Sequence, residues 1–340
     1  MNLIAPPMTL DDCLGTFLGV VALDVAIQSG LIAALASDAP ATAPLLPETS
    51  PLVVILRSNG VLKPEVLSLT ERFASLWQEQ SVHLRTRVGF LRRAAADVAL
   101  YAEDLFYNTD SFMEKSSTFQ FFDYEPATRG DAEARSHTQR WVDYVAALTD
   151  AEAPSLLDAV SLPDKGLVLE IGGNAGAFAR HLLARHTGLS YAILDLSGVC
   201  ALGRADPANT PFGDRLRFLP GDMRKMNWRL EAGGAPDVII FKSVLHDWPA
   251  EEAADLLARA SRYLAPSGRI IILERGAYTS ANLMDIPFSS CANLVFSPFY
   301  RAPDVYIEAL RVAWPSARVT IRPVVLDMGW FVTMATERIL

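Results

Sequence analysis

The stretch Val168–Gly176, with the sequence VLEIGGNAG, constrains the fold of this chain more than any other. Apolar residues between Leu167 and Ile171 end at a pair of glycines, and a third glycine follows at Gly176. A short apolar run that is closed by glycine and followed by a helical pattern, here Ala177–Arg185, is typical of a buried parallel strand that turns into a helix. The stretch therefore predicts an α/β unit, either a plain strand–turn–helix or one whose loop binds a ligand.

The residues of this loop favour a ligand. Gly172 and Gly173 allow the backbone to approach a bound molecule closely, and the helix behind them offers free N–H groups. Glu170 is an acid at a position where a plain turn requires none. The loop is not the dinucleotide fingerprint G-x-G-x-x-G, because the middle glycine of that pattern would fall on Asn174.

From residue 165 onward, strand and helix patterns alternate, as in a doubly wound and mostly parallel sheet. In such sheets the ligand lies beyond the carboxyl ends of the strands, so residues that follow the strands should meet in one site. The strand candidates are Leu167–Ile171, Ser190–Asp195, Leu216–Leu219, Asp237–Phe241, Arg269–Leu273, Arg318–Val325 and Trp330–Ala335.

Acidic residues follow the second and third strand candidates. Asp195 can accept hydrogen bonds from both hydroxyls of a ribose, or it can cap a helix that starts at Ser197. Asp222 can accept from an adenine amino group, and Met223 offers a soft, polarisable surface to the ring, although a simple turn would also explain the pair. Nothing nearby is suited to a pyrophosphate, which indicates a nucleoside-like ligand without one.

The fourth strand candidate is followed by Lys242 and then by Leu245–Trp248, with the sequence LHDW. A buried lysine needs a partner such as a carboxylate. A lone histidine such as His246 is usually a satisfied core residue, but the neighbouring Asp247 favours a chemical role.

Charge and cysteine usage exclude several classes of protein. The net charge of −9 over 340 residues argues against nucleic-acid and anionic-membrane partners. Three scattered cysteines give neither a disulfide framework nor a metal-binding spacing, so we expect a cytoplasmic protein without a metal. No basic residue precedes Arg57, so a signal peptide is not expected. The apolar stretch Cys13–Ala36 is interrupted by Asp24, which favours a buried helix pair over a membrane span.

The first 105 residues suggest a separate module. Helical patterns are followed by a weakly alternating segment, Glu65–Thr70, in the order of a winged helix. Residues 1–100 carry 7 basic and 9 acidic side chains. They therefore lack the excess of positive charge that is typical of a DNA-binding surface. We predict a dimerisation domain over residues 1–105 and a ligand-binding domain over 106–340. Asn108–Thr128 is expected to be a loop over the core or an aromatic lid.

The motifs LEIGGxxG, LDLxxV, GDM, KxxxHDW and LER, in this order, resemble those of the S-adenosylmethionine-dependent small-molecule O-methyltransferases. This family comprises plant caffeic-acid and flavonoid enzymes and bacterial antibiotic-tailoring enzymes. The resemblance implies a Rossmann-like methyltransferase sheet with an N-terminal helical, winged-helix-like dimerisation domain. It also implies a homodimer that transfers a methyl group from S-adenosyl-L-methionine to a hydroxylated aromatic small molecule and releases S-adenosyl-L-homocysteine.

The resemblance also implies roles for individual residues. His246 would be the general base, and Glu274, 28 residues later, would orient its imidazole. An imidazole with a pKa near 6.5 is suited to taking a proton from a phenol at neutral pH. The implied cofactor-binding residues are Glu170, Gly172, Gly173, Asp195, Leu196, Asp222, Met223, Lys242 and Ser243.

The acceptor is expected between the carboxyl edge of the sheet and the segment Met284–Tyr300, under helices from the N-terminal half. The alternative is that this segment simply packs a helix on the sheet. Tyr300 stands where the plant enzymes have a carboxylate, which leaves the identity of the acceptor open. The expected substrate-contacting residues are Met284, Phe288, Asn293 and Phe296.

Two other functions remain open from the sequence. The first is C- or N-methylation, or another S-adenosylmethionine reaction, by a relative in the same family. The second is a non-catalytic winged-helix regulatory protein, against which the acidic N-terminal module argues.

Overall fold

The computed structural model describes residues 7–37, 47, 49–129, 131–225, 228, 234–276, 288–324, 326 and 330–336, and gives the backbone alone for Trp330 and Phe331. Within these residues the chain forms two units, one of residues 1–120 with 286–295 and the other of residues 121–285 with 296–340. No helix in the described ranges is both long and apolar enough to cross a bilayer.

The helices of the chain are α1 (Leu10–Cys13), α2 (Phe17–Gln28), α3 (Leu31–Ala36), α4 (Pro51–Ser58), α5 (Glu71–Tyr107), α6 (Thr109–Lys115), α7 (Ser117–Phe121), α8 (Ala132–Ala159), α9 (Ala177–Arg185), α10 (Ser197–Ala205), α11 (Ala250–Tyr263), α12 (Cys291–Leu294) and α13 (Pro303–Ala313). Short 3-10 segments cover Glu125–Thr128, Pro207–Arg215, Leu245–Asp247, Phe288–Ser290 and Ser297–Phe299.

The strands are β1 (Lys165–Ile171), β2 (Gly188–Asp195), β3 (Leu216–Pro220), β4 (Val238–Lys242), β5 (Arg269–Arg275), β6 (Arg318–Val324) and β7 (Trp330–Thr336). They form one sheet in the order β3-β2-β1-β4-β5-β7-β6. The first five strands are parallel to one another, and β7 pairs antiparallel with both β5 and β6. All seven predicted strands are present, which confirms the doubly wound, mostly parallel sheet.

Both faces of the sheet are covered. Leucines of α8 and α9 pack on one face around Val168 of β1. Apolar residues of α11 and α13 pack on the other face around Leu169 and Ile171. Because the side chains of a strand alternate between faces, a run that is apolar at nearly every position belongs in the middle of such a sheet.

The first unit is helical and carries a small hairpin, as the weakly alternating segment Glu65–Thr70 suggested. Its two arms pair in the described residues through one antiparallel bridge, between Leu62 and Leu69. The long helix α5 begins 16 residues before the predicted Arg87, because Thr70 caps it by accepting from the N–H of Phe73. The unit ends at residue 120 rather than at the expected residue 105, and it includes the segment 286–295.

The region Asn108–Thr128 is largely helical, where a loop or lid was expected. Asn108 caps α6 by accepting from the N–H of Ser111. The buried carboxylate of Asp97 accepts from the N–H groups of Ser117 and Thr118 and from the hydroxyls of Ser116 and Ser117, so it caps α7 from a distant helix. This cap comes from a residue about 20 positions earlier, so a local sequence pattern does not reveal it.

Candidate active site

The glycine loop after β1 contains three residues with positive φ. Gly172, Asn174 and Gly176 have φ of +69°, +55° and +96°. Asparagine tolerates this region better than other non-glycine residues, and its Oδ1 accepts from the N–H of Ala175 at 2.5 Å. At Gly172 a Cβ would come within 2.7 Å of a Val244 methyl, so β1 and β4 can meet here only without a side chain.

Asp195 ends β2 and closes against the glycine loop. Its carboxylate accepts from the N–H of Asn174 at 2.8 Å and from its neighbour Leu196 at 2.7 Å. Burial raises the pKa of Asp195 to about 6, although both backbone donors favour the charged form. The carboxylate therefore joins the ends of β1 and β2 and is ionised at neutral pH.

Glu170 lies beneath the loop. It is almost fully buried and accepts from the Tyr191 hydroxyl at 3.0 Å. Burial raises the pKa of Glu170 to about 7. A Cβ on Gly173 would meet Glu170 Oε2 at 2.5 Å, so this glycine makes room for the buried acid. Of the predicted cofactor residues, Glu170 and Gly173 support the loop from behind.

A cavity of about 380 Å³ opens at the carboxyl ends of β1 to β4, within the second unit. The other seven predicted cofactor residues line it, namely Gly172, Asp195, Leu196, Asp222, Met223, Lys242 and Ser243. The wall also includes residues that the sequence analysis did not assign to a ligand, among them Tyr124, Trp141, Arg224, Asp247 and Trp248. Trp141 lies on α8, and Tyr124 precedes that helix. In sequence, both are far from the strand ends that form the rest of the wall.

Two indole groups of this wall have unused donors. Among the residues that the structure describes, the buried Nε1–H groups of Trp141 and Trp248 have no hydrogen-bond partner. A buried donor without a partner is costly, and because both nitrogens are buried rather than exposed to the cavity, they do not by themselves indicate a ligand.

Asp222 already has donors in the structure. Oδ1 accepts from the backbone N–H and the Nε of Arg224, at 2.9 and 3.2 Å. Oδ2 accepts from Arg224 Nη2 at 3.2 Å and lies 3.4 Å from Lys225 Nζ. A carboxylate has about four acceptor positions, so all of them are in use. The Arg224 guanidinium also stacks on the Trp248 ring, 4.2 Å from its centroid.

Lys242 has the carboxylate partner that its burial requires. Its Nζ donates to Thr149 Oγ1 at 3.1 Å and lies 3.5 Å from Glu152 Oε2, both on α8. Glu152 also forms an ion pair with the buried Arg275. Burial lowers the pKa of Lys242, while the charge of Glu152 opposes that shift. These charges fix α8 against the ends of β4 and β5.

His246 and Glu274 are in direct contact. His246 Nδ1 lies 2.6 Å from Glu274 Oε2. The other oxygen, Oε1, accepts from the N–H groups of Val244 at 2.9 Å and Leu245 at 2.8 Å. Burial alone would raise the pKa of Glu274, but His246 and the two backbone donors hold it below its ordinary value. The carboxylate thus orients the imidazole and the turn that carries it.

The remaining nitrogen of His246, Nε2, lies 3.4 Å from Asp247 Oδ1. The ring of Tyr300 meets the imidazole edge-on at a centroid distance of 5.2 Å. Burial would lower the pKa of His246, but the charges of Glu274 and Asp247 outweigh burial and raise it. The arrangement can accept a proton at Nε2 and stabilise the resulting imidazolium.

The predicted substrate residues fall in different places. Phe296 belongs to the second unit and packs edge-on against Phe122, with centroids 5.6 Å apart. Phe288 belongs to the first unit and packs against Phe17 at 6.0 Å. Asn293 lies in α12 of the first unit, and Met284 lies outside the described residues.

A comparison with models of known protein families shows what the part of the chain that forms the cavity resembles. Residues 120–283 match the model of the O-methyltransferase domain. Over these residues the chain therefore resembles an O-methyltransferase domain. That domain spans α8, β1 to β5 and the whole cavity wall described above.

Known proteins resemble the chain over part of its length in sequence and over most of its length in fold. Demethylspheroidene O-methyltransferase of Rhodobacter capsulatus is 31% identical over 163 residues, which are 47% of this chain and 39% of that protein. O-methyltransferase SfmM3 of Streptomyces lavendulae is 25% identical over 123 residues, 36% of this chain and 35% of that one. The chain spans about a third of the length of the first curated relatives it matches.

Solved structures share the fold. Human N-acetylserotonin methyltransferase in complex with SAM superposes with a TM-score of 0.69 at 20% identity, covering 96% of both chains. The mitomycin 7-O-methyltransferase MmcR superposes with a TM-score of 0.69 at 18% identity, covering 94% of both. The chain therefore shares the fold of these solved structures over most of its length.

Replacement of Gly172 tests the close contact of the glycine loop with Val244. We expect Gly172→Ala to lower the free energy of unfolding by about 2–4 kcal/mol, since positive φ strain and a methyl–methyl overlap add. Gly30→Ala is the matched control, because Gly30 has a φ of +80° with open space around its Cβ position. It should lose about 1–2 kcal/mol from backbone strain alone. Urea unfolding measures both, and equal losses would rule out the overlap.

Proposed function

We propose that this protein is an S-adenosylmethionine-dependent O-methyltransferase of secondary metabolism that acts on a hydroxylated aromatic small molecule. The observation that carries the proposal is the position of the His246–Glu274 pair beside Asp247, which also lines the cavity at the strand ends. A nucleoside-binding cavity and a base for an adjoining acceptor are the two parts that methyl transfer to a hydroxyl requires.

The cavity residues fit S-adenosylmethionine. Asp195 would accept from the ribose hydroxyls, and the rings of Trp141 and Trp248 would line the cavity around the cofactor. Met223 would pack on the adenine, and Asp222 would act chiefly through Arg224, since its acceptor positions are filled. Lys242, held by Glu152, would line the same cavity. When bound, this cofactor supplies a sulfonium methyl group that is open to in-line displacement.

The chain's own contribution would be alignment and proton removal. His246 Nε2 would take the proton of the acceptor hydroxyl, and the electron pair of that bond would remain on the oxygen. Glu274 would hold the imidazole by its Nδ1 and stabilise the positive charge that forms. General-base catalysis of this kind contributes about 10²–10⁴-fold, and alignment can contribute more.

An aromatic acceptor is supported by the side chains near the base. Tyr300 contacts the imidazole edge-on, and Phe122 packs against both Tyr144 and Phe296. Such rings favour a flat apolar acceptor, whose direction one or two polar groups would set. We propose that Phe296 forms a wall of the acceptor site. Further candidates for contact with the acceptor are Met284, Phe288 and Asn293.

We expect the cofactor affinity to depend on the charge of Asp195. Asp195→Asn keeps the shape and removes the charge, so titration calorimetry should show S-adenosylmethionine binding about 10–100-fold more weakly. Because the pKa of Asp195 is about 6, binding by the wild type should weaken as the pH falls below 6. The exposed Asp158→Asn serves as a control and should bind normally. Unchanged affinity in Asp195→Asn would remove the ribose assignment.

The proton-accepting role of His246 predicts a specific loss. His246→Ala should lower turnover of a phenol acceptor by about 10²–10⁴-fold while both ligands still bind. The wild-type turnover should fall on acidification with a midpoint above 6.5, since the pKa of His246 is raised and the base acts when neutral.

His181→Ala is the matched control for that loss. His181 also pairs with a carboxylate, Asp150, at 2.9 Å, but it lies outside the cavity wall. Its loss should leave turnover unchanged. Near-normal turnover in His246→Ala would instead favour the alternative function, methylation of a nitrogen or carbon that needs no base.

We also propose a homodimer formed through the first unit. On α2, the side chains of Phe17, Leu18 and Val25 remain exposed although the rest of the helix is largely buried. Exposed apolar side chains that are grouped on one helix mark interaction surfaces. Light scattering should therefore give a mass of about twice 37.1 kDa. Leu18→Glu should yield the monomer, and Val66→Glu, at an exposed hairpin position, should not. A monomeric wild type at micromolar concentration would contradict the proposal.

A further inference from the structure

Tyr124 connects the cavity wall with the candidate base. Its hydroxyl donates to Asp247 Oδ2 at 3.2 Å, across 123 positions of the chain. Its ring packs edge-on against Trp141, with centroids 5.3 Å apart. Burial and the nearby charge of Asp247 raise the pKa of Tyr124 well above its ordinary value, so the phenol remains a donor throughout the working pH range.

Asp247 stands between Tyr124 and the imidazole. While Oδ2 accepts from Tyr124, Oδ1 lies 3.4 Å from His246 Nε2. Since Nδ1 is engaged by Glu274, Nε2 is the nitrogen that faces a reacting proton. The imidazole therefore lies between the carboxylates of Glu274 and Asp247. Tyr124, in the cavity wall, holds the carboxylate of Asp247.

We propose that Tyr124 is a positioning residue, which keeps the Asp247 carboxylate beside Nε2 of His246 and so sets the proton affinity of the base. This inference rests on the proposed function, because the proton affinity of His246 affects activity only if His246 removes a proton from the acceptor. The coupling itself is a property of the chain and can be measured without any acceptor.

The sign of the effect follows from the charges around His246. Without the Tyr124 hydroxyl, Asp247 loses a donor that favours and orients its charged form. Less negative charge then faces the imidazolium, and the pKa of His246 falls. The other groups near the pair remain in place, namely Glu274 and Arg275 of β5, Tyr300 against the ring, and Arg301, which lies near Asp247 and donates to the carbonyl of Leu245.

The experiment is an NMR titration of the five histidines of the full chain with ¹⁵N-labelled imidazoles, in the presence of S-adenosylhomocysteine. The signal of His246 is the one that disappears in His246→Gln. Tyr124→Phe retains the ring that packs on Trp141 and removes the hydroxyl. At the pH of the wild-type midpoint, the neutral fraction of His246 should rise above one half in Tyr124→Phe.

A double-variant comparison shows whether the effect passes through Asp247. Asp247→Asn should shift the His246 midpoint in the same direction as Tyr124→Phe. The combined variant should shift it no further than Asp247→Asn alone, because the hydroxyl then has no carboxylate to hold. Tyr101→Phe is the matched control, because it removes a phenol hydroxyl from α5 of the first unit. In this variant His246 should titrate with the wild-type midpoint.

Two results would overturn the proposal. An unchanged or raised midpoint in Tyr124→Phe would mean that the hydroxyl does not hold Asp247 against Nε2. Additive shifts in the combined variant would mean that Tyr124 acts independently of Asp247. If Tyr124 served the cofactor alone, S-adenosylhomocysteine would bind more weakly in calorimetry while the titration stayed unchanged. Failure of the proposed methyl transfer would show in turnover and would leave the titration as predicted.

Discussion

The site depends on one buried carboxylate, that of Glu274. A charge without solvent exposure is tolerated only when donors surround it, and here the two oxygens take the N–H groups of Val244 and Leu245 and the imidazole of His246. These donors belong to the turn after β4, which starts at Ser243 with a φ of +52°. Glu274, at the end of β5, therefore fixes the conformation of the turn that follows β4. That turn places His246 beside the cavity.

The parallel sheet brings the other half of the site to the same edge. β1 to β5 end together, so the glycine loop, Asp195 and Lys242 lie around one cavity although they are far apart in sequence. Buried charges hold the surrounding helices there. Glu152 of α8 serves both Lys242 and Arg275, and Arg301 donates to the carbonyls of Leu245 and Trp248. The cavity wall and the His246–Glu274 pair are therefore parts of one polar network.

Some features were predictable because their cause is local. The strands follow from apolar runs that are bounded by glycine or charge, and the loop follows from Gly172 and Gly176 at positive φ. The contact of His246 with Glu274 was implied by the resemblance to the O-methyltransferases, and it is present at 2.6 Å. The start of α5, by contrast, was predicted too late, since the cap at Thr70 stands before a stretch of weak periodicity.

By itself the sequence determined the α/β class, the strand positions and most of the residues at the strand ends, because alternation and turn chemistry act over a few neighbouring residues. Tertiary structure alone decided that Tyr124 and Trp141 join the cavity wall, that Arg224 fills the acceptor positions of Asp222, and that Asp97 caps α7. Each of these contacts depends on side-chain direction and on packing between elements, which no local pattern encodes. For the same reason the sequence indicated His246 only as a candidate base, and the fold shows the carboxylates of Glu274 and Asp247 on either side of its imidazole.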